Sequence, residues 1–261
     1  MSSSPTDPLR KRLASLLDRA YVPFSNEPTA AVVVLDDGTW IPGVRVESAS
    51  FSLTIPALVN AYTTAVAYGQ QSRITALALS RPLQRGEAAY VSDLSDGPWT
   101  ALAPDVWVPG DDGSFPTPTD CFDPRLSRAE ETPASGIQMA REAAERAHVP
   151  ASNYPVGAVL ELDDGHLLAG VNVEHPDWSR ILCAERNAVG TAYSYREPSI
   201  RSLFLTCTND PDGTPCGACR QILAELTPEA TLWMDRHSDA PQRARPSDLL
   251  PGSFRGRALL S

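Results

Sequence analysis

The chain has 261 residues, enough for one large domain or two small ones with complete cores at roughly 150 residues per domain. Hydrophobic residues make up 42% and charged residues 21%, with 24 prolines, a balance that excludes a disordered chain and describes a compact, loop-rich globular protein. The net charge of −10 repels phosphate backbones and anionic lipid surfaces, so neither a nucleic acid polymer nor a membrane is expected as a partner.

The first residues lack the apolar core of a secretory leader, and a cytoplasmic location is expected. A helix is predicted over 9–20. The uncharged stretch 48–72 is long enough to cross a bilayer, but Pro56, Asn60, Gln70 and Gln71 interrupt it, so a buried helix over 56–67 is the better reading. Alternating apolar residues predict a strand over 74–79. Residues 116–135 are rich in Pro, Thr, Asp and Glu without periodicity, which marks a linker or wrapping segment. Beyond it follow a helix over 136–148, strands over 157–162 and 167–173 around the turn Asp163-Asp164-Gly165, a helix over 182–194, a strand over 203–206, a helix over 215–226 and a short strand over 231–234. Alternating helices and strands imply a three-layer α/β domain.

The chain is also a duplication. Shifted by 127 residues, 19–61 lies over 146–188 without a gap, and 21 of the 43 positions are identical. Each copy spans about 125 residues, dividing the chain into domains at 1–125 and 135–261, and the first should repeat the architecture of the second.

The chemistry concentrates in the second copy. Cys183-Ala184-Glu185 and, thirty-three residues after Cys183, Pro215-Cys216-Gly217-Ala218-Cys219 place three thiols and a carboxylate at the starts of two predicted helices. Cysteines at i and i+3 of a first helical turn share one face. The helix N-terminus lowers thiol pKa and favours thiolates that share one divalent cation. Zinc is the expected ion, one per chain. Three protein ligands leave a tetrahedral zinc one position short, the arrangement of a catalytic site holding water, and Glu185 stands where it can take that water's proton. The alternative is a closed four-ligand zinc site completed by Cys207 or His175 in a non-catalytic interaction protein.

Cys183-Ala184-Glu185-Arg186 and Pro215-Cys216-Gly217-Ala218-Cys219-Arg220-Gln221 resemble the two zinc motifs of cytidine deaminases in their three-cysteine form. Asn153-Tyr154-Pro155-Val156-Gly157-Ala158 is similar to that family's Phe-Pro-Val-Gly-Ala strand, Asn172-Val173-Glu174 to its ribose motif, and Leu249 to Phe254 to its C-terminal ending. The resemblance implies a tandem duplication of a three-layer α/β/α domain with a mixed central sheet. It implies zinc on Cys183, Cys216 and Cys219, with Glu185 shuttling a proton to ring N3 and then to the departing amine. Asn172, Glu174, Tyr154 and Ala184 would meet the nucleoside, and Arg186 would offset the thiolate charge from behind them. The reaction implied is deamination of cytidine and deoxycytidine in pyrimidine salvage. Tyr154 in place of Phe, and the run His175-Pro176-Asp177-Trp178 in place of an Asn-Ala-Ser-Tyr-like run, leave open another aminopyrimidine nucleoside, such as a nucleoside antibiotic.

The first copy lacks these groups. Pro56 stands for Cys183, Leu58 for Glu185, Arg45 for Asn172 and Glu27 for Tyr154, which makes it a degenerate, non-catalytic domain. Its run Arg45 to Phe51 is nonetheless closer to the family's Asn-Val-Glu-Asn-Ala-Ser-Tyr than the second copy is. Small members of that family are homotetramers that lend this loop to a neighbour. A homodimer is therefore expected, with Ala49, Phe51 and Phe254 reaching a partner's site in trans.

Overall fold

The structure is a computed structural model that describes residues 6–94, 97–110, 114–127, 130, 132–237, 239–256 and 259–260. Parts of the predicted linker, at 128, 129 and 131, lie outside the described residues.

In the first half, α1 (Asp7–Leu16) buries Leu9, Leu13 and Leu16, the i, i+4, i+7 stripe of an amphipathic helix. It stops short of residue 20 because a 3-10 turn over Leu17–Arg19 tightens its end. The hairpin of β1 (Ala30–Leu35) and β2 (Trp40–Val44) turns at Gly38, whose φ of +84° is a left-handed conformation open to glycine. Next come α2 (Ala57–Ala67), β3 (Ile74–Leu79), α3 (Arg85–Ser92), β4 (Trp99–Ala103) and β5 (Val106–Pro109). Every residue of α2 is buried, which explains the uncharged stretch without a membrane, and among the described residues no helix is long and apolar enough to cross one.

The second half begins with α4 (Pro133–Ala144), set three residues earlier than its periodicity alone suggests. Thr132 caps it by accepting the Ser135 N–H, and Pro133 occupies the first turn, where no N–H is needed. β6 (Val156–Leu162), β7 (Leu167–Val171), α5 (Ala184–Ser194), β8 (Ile200–Cys207), α6 (Gly217–Leu226), β9 (Thr231–Arg236), β10 (Asp239–Ala244) and the short α7 (Pro246–Leu249) follow. Alternate residues of β6 face opposite layers. Val159 packs with Ile137, Ala140 and Ala143 of α4, whereas Ala158 and Leu160 pack with α5 and α6 through Ala184, Ala188 and Ile222. The layers are helix, sheet, helix.

The two sheets agree in three strands and then part. The second has the order β10-β9-β8-β6-β7, with β8 and β9 parallel and its other pairs antiparallel, because α6 carries the chain back across one face before β9 enters. The first has the order β2-β1-β3-β5-β4 and is antiparallel throughout. Here β4 takes the outer edge, and β5 turns back between it and β3. The expected repetition of architecture therefore fails in sheet order after β3, and α3, which follows β3 as α6 follows β8, carries no cysteine.

The halves meet through α2 and α5. Thr64 Oγ1 and Thr191 Oγ1, equivalent atoms 127 residues apart, are 2.8 Å from each other, so a local two-fold relation passes between them. Asn60 donates from α2 to the Gly190 carbonyl and Ser194 Oγ, and Asn187 donates from α5 to Thr63 Oγ1. The NH2 groups of both buried amides thus find acceptors across the boundary. The linker ties the sheets from outside: Trp40 of β2 exchanges backbone bonds with Asp120 and Phe122, and Leu126 exchanges them with Leu167 of β7.

Candidate active site

A close helix–strand approach sets the position of the chemistry. A Cβ on Gly170 of β7 would lie 2.4 Å from the Ala184 carbonyl and 2.5 Å from the Ala188 nitrogen, so only glycine lets the first turn of α5 sit this near the sheet. Cys183 is the N-cap of α5, Cys216 is the N-cap of α6, and Cys219 lies in the first turn of α6. Their sulfurs fall within 4.8 Å of one another, with those of Cys183 and Cys216 3.7 Å apart. Among the described residues no fourth His, Cys, Asp or Glu joins them.

The three thiols differ. Cys216 is exposed, and hydrogen bonds from the Cys183 and Cys219 thiols and from backbone N–H groups of α6 draw its pKa far down, so it ionises first. Cys219 is fully enclosed and is pushed up by its bonds to the other two thiols and by burial. Soft sulfur donors clustered at two helix N-termini fit zinc.

Glu185 is 3% exposed. Burial pushes its carboxyl up to about 7, and the Cys216 charge adds to this while Arg186 opposes it. Its side chain lines a cavity of about 180 Å³ together with Tyr154, Val156, Asn172, Cys183, Ala184, Cys207, Thr214 and Cys216. Five of the residues singled out in the sequence thus share one wall with Cys216.

Asn172 reaches this cavity and also holds its rim, accepting the Val156 N–H at 2.8 Å and donating to the Tyr154 carbonyl at 2.9 Å. Glu174 does not line it. β7 ends at Val171, so the simple i, i+2 alternation of a strand no longer governs 172–174, and the Glu174 carboxylate accepts the N–H groups of Ala151 and Ser152 beside a separate cavity.

Two contributors escaped the sequence reading. Asp210 accepts the Tyr154 hydroxyl at 3.0 Å, and no spacing rule links those positions. Cys207, named above only as a possible fourth ligand of a closed zinc site, is buried and forms part of the cavity wall. Beyond the two cysteines, Arg220 of the second motif donates to the Pro215 carbonyl and Thr214 Oγ1, fixing the turn before Cys216, and Gln221 donates to the Phe254 carbonyl.

The first half touches both chemistry-bearing helices within the same chain. Arg186, 9% exposed, donates to the Leu53 carbonyl at 3.0 Å. Ser48 Oγ and the Ala49 N–H both donate to the Glu225 carboxylate of α6 at 2.7 Å. Ala49 is therefore enclosed by its own chain, because Glu225 draws its backbone onto α6, and its side chain is not presented to a partner. Phe51 and Phe254 remain exposed.

Residues 131–234 match the family model of the cytidine and deoxycytidylate deaminase zinc-binding region. The chain is 37% identical over 119 residues to the cytidine deaminase of Halalkalibacterium halodurans, a match covering 45% of this chain and 90% of that protein. It is 38% identical over 117 residues to the cytidine deaminase of Mycobacterium tuberculosis, covering 44% and 84% respectively. The crystal structure of cytidine deaminase from Burkholderia pseudomallei matches at 32% identity with a TM-score of 0.45, covering 47% of this chain and 99% of that one. The sequence matches take in less than half of this chain yet most of each relative, and on that ground the chain belongs to the cytidine deaminase family.

Proposed function

We propose that the second half hydrolyses the exocyclic amine of cytidine and deoxycytidine, giving the uridine forms and ammonia in pyrimidine salvage. The observation that carries this reading is the convergence of three thiols and one buried carboxylate on a single cavity. Zinc held by Cys183, Cys216 and Cys219 would supply Lewis-acid activation of the water consumed in the reaction. Glu185 moves the protons. With its carboxyl near 7 it can accept one from the attacking water, pass it to ring N3 and deliver the next to the leaving amine near neutral pH. The Tyr154 ring, braced by Asp210, flanks the pyrimidine, and the Ala184 backbone closes the wall beside it. Asn172 meets the sugar hydroxyls from the cavity, and Glu174 steadies the loop that leads to Tyr154 by accepting the Ala151 and Ser152 N–H groups. Arg186 links this machinery to the first half through Leu53.

A closed structural zinc finds less support. His175 stacks on Tyr90 with ring centroids 4.7 Å apart and accepts the Asp177 N–H at its Nδ1, and Cys207 stands outside the thiol cluster.

The deciding experiment is ammonia release from zinc-loaded protein given cytidine or deoxycytidine, with Glu185→Ala at equal zinc content. Release should fall by about 10²- to 10⁴-fold in the variant, and zinc-loaded protein silent on both nucleosides overturns the reading. The proposed assembly is a homodimer, with Phe51 and Phe254 as the exposed rings available to a partner's site. Phe51→Ala should then raise KM, and unchanged kinetics in a folded variant would exclude that ring.

A further inference from the structure

The first half keeps a cavity where the second half has its thiol-lined one. Thr29, Arg45, Pro56, Ala57 and Leu58 line it, the 127-residue counterparts of Val156, Asn172, Cys183, Ala184 and Glu185 in the other wall. Thiol and acid are gone, and positive charge has come in. The cavity is larger, about 390 Å³ against 180 Å³, and three arginines, Arg45, Arg81 and Arg180, line it against one acid, Glu87. Arg180 comes from the second half and is the counterpart of Leu53, the residue that the first half places against Arg186. Each half thus lends the same segment to the other.

Acidic neighbours fix the guanidiniums in place. Arg45 pairs with Glu47, Arg81 with Glu87 and Arg180 with Asp177. Glu47 is shared with the N–H groups of Phe24 and Ser25, and Asp177 with the N–H and hydroxyl of Ser179. Arg45 Nε and Arg180 Nη1 are buried and have no hydrogen-bond partner among the described residues. Pre-oriented guanidiniums around a concave space are the chemistry of a phosphate site, and the volume suits a small organic ligand.

We infer that this cavity is a second, metal-free ligand site that takes a pyrimidine nucleoside monophosphate. The nucleoside part rests on the reading of the second-half cavity given above, because the two share one backbone frame. The phosphate part rests on Arg45, which places a guanidinium where Asn172 would meet the sugar, and on Arg81 and Arg180 beside it.

The test is calorimetric titration of the zinc-loaded full chain with uridine 5′-monophosphate, uridine and inorganic phosphate as separate probes. The monophosphate should bind about tenfold or more tightly than either fragment. Arg81→Gln and Gln84→Glu should each weaken it by about tenfold or more. Gln84→Glu keeps the acceptor that caps α3 while adding a negative charge to the wall, and circular dichroism checks that both variants fold. Cys216→Ser, which breaks the thiol cluster, should leave the affinity unchanged. A monophosphate that binds no better than phosphate or uridine overturns the inference, as does binding lost in Cys216→Ser but kept in the two cavity variants. Cytidine deamination with no monophosphate binding overturns this inference alone, whereas monophosphate binding in a chain inactive on cytidine overturns the substrate reading and leaves this site standing.

Discussion

Gly170→Ala tests whether the fold, as well as the ligands, places the chemistry. The added methyl would lie 2.4 Å from the Ala184 oxygen, 2.5 Å from the Ala188 nitrogen and 2.8 Å from the Ala188 Cβ. Two of these are backbone atoms that cannot rotate away, so α5 must shift by about 1 Å to restore ordinary contact. Overpacking of this kind costs about 1–3 kcal/mol, and the upper end corresponds to a fall in Tm of roughly 6–12 °C for a chain this long. Because that turn carries Cys183, Ala184 and Glu185, a displacement of about 1 Å should also lower kcat by about 100-fold. Gly43→Ala supplies the control. Its methyl would lie 2.3 Å from the Ala57 oxygen and 2.4 Å from the Ala61 nitrogen, the same overlap in the half whose helix carries Pro56 and Leu58. It should destabilise to a similar degree and leave zinc content and kcat within about twofold. Thermal melts, zinc analysis and ammonia release on both variants decide the matter. Equal losses of activity, or full activity in a Gly170→Ala protein destabilised as much as Gly43→Ala, would refute the reasoning.

Three further outcomes follow from polar groups. Burial opposes ionisation of Asp235, but hydrogen bonds from Arg141, Thr206 and the His237 N–H outweigh it and bring the carboxyl from 3.8 down to about 2. A folded pKa below the unfolded one stabilises fully above the unfolded value and is lost as pH falls from about 4 towards 2, here by about 2 kcal/mol. Urea unfolding at pH 7 and pH 2.5 should show Arg141→Gln losing the arginine's share of that increment at pH 7 and less at pH 2.5, and an equal loss at both would count against the ion pair. For the Thr64–Thr191 contact, Thr64→Val, Thr191→Val and the double variant should give a coupling of about 1 kcal/mol; zero coupling would mean that the hydroxyls do not bond. In chelator-treated protein, Cys216 should be alkylated before Cys183 and Cys219, being the exposed thiol that ionises first, and mass spectrometry showing Cys219 modified first would contradict the order.

Much of the site was legible because its signals are local. Cys216 and Cys219 lie three apart at a helix start, Cys183 and Glu185 lie two apart at another, and both pairs take the positions that helical geometry assigns them. Glu174 was legible only as a motif member: its strand ended two residues too soon for alternation to aim it at the cavity. Ala49 went the same way, since nothing near it in the chain announces Glu225, which lies 176 residues away.

By itself the sequence determined the duplication, the helices and strands through β3 and their counterparts, and the three thiols with their carboxylate. Each of these is written in spacing over a few residues or in a direct repeat. Only the tertiary structure decided that α2 and α5 meet at Thr64 and Thr191, that β5 enters the first sheet antiparallel, and that Arg180 of one half completes a cavity in the other. Periodicity says which face of an element is apolar. Which buried face it meets depends on packing between residues more than a hundred positions apart, and no local pattern encodes that choice.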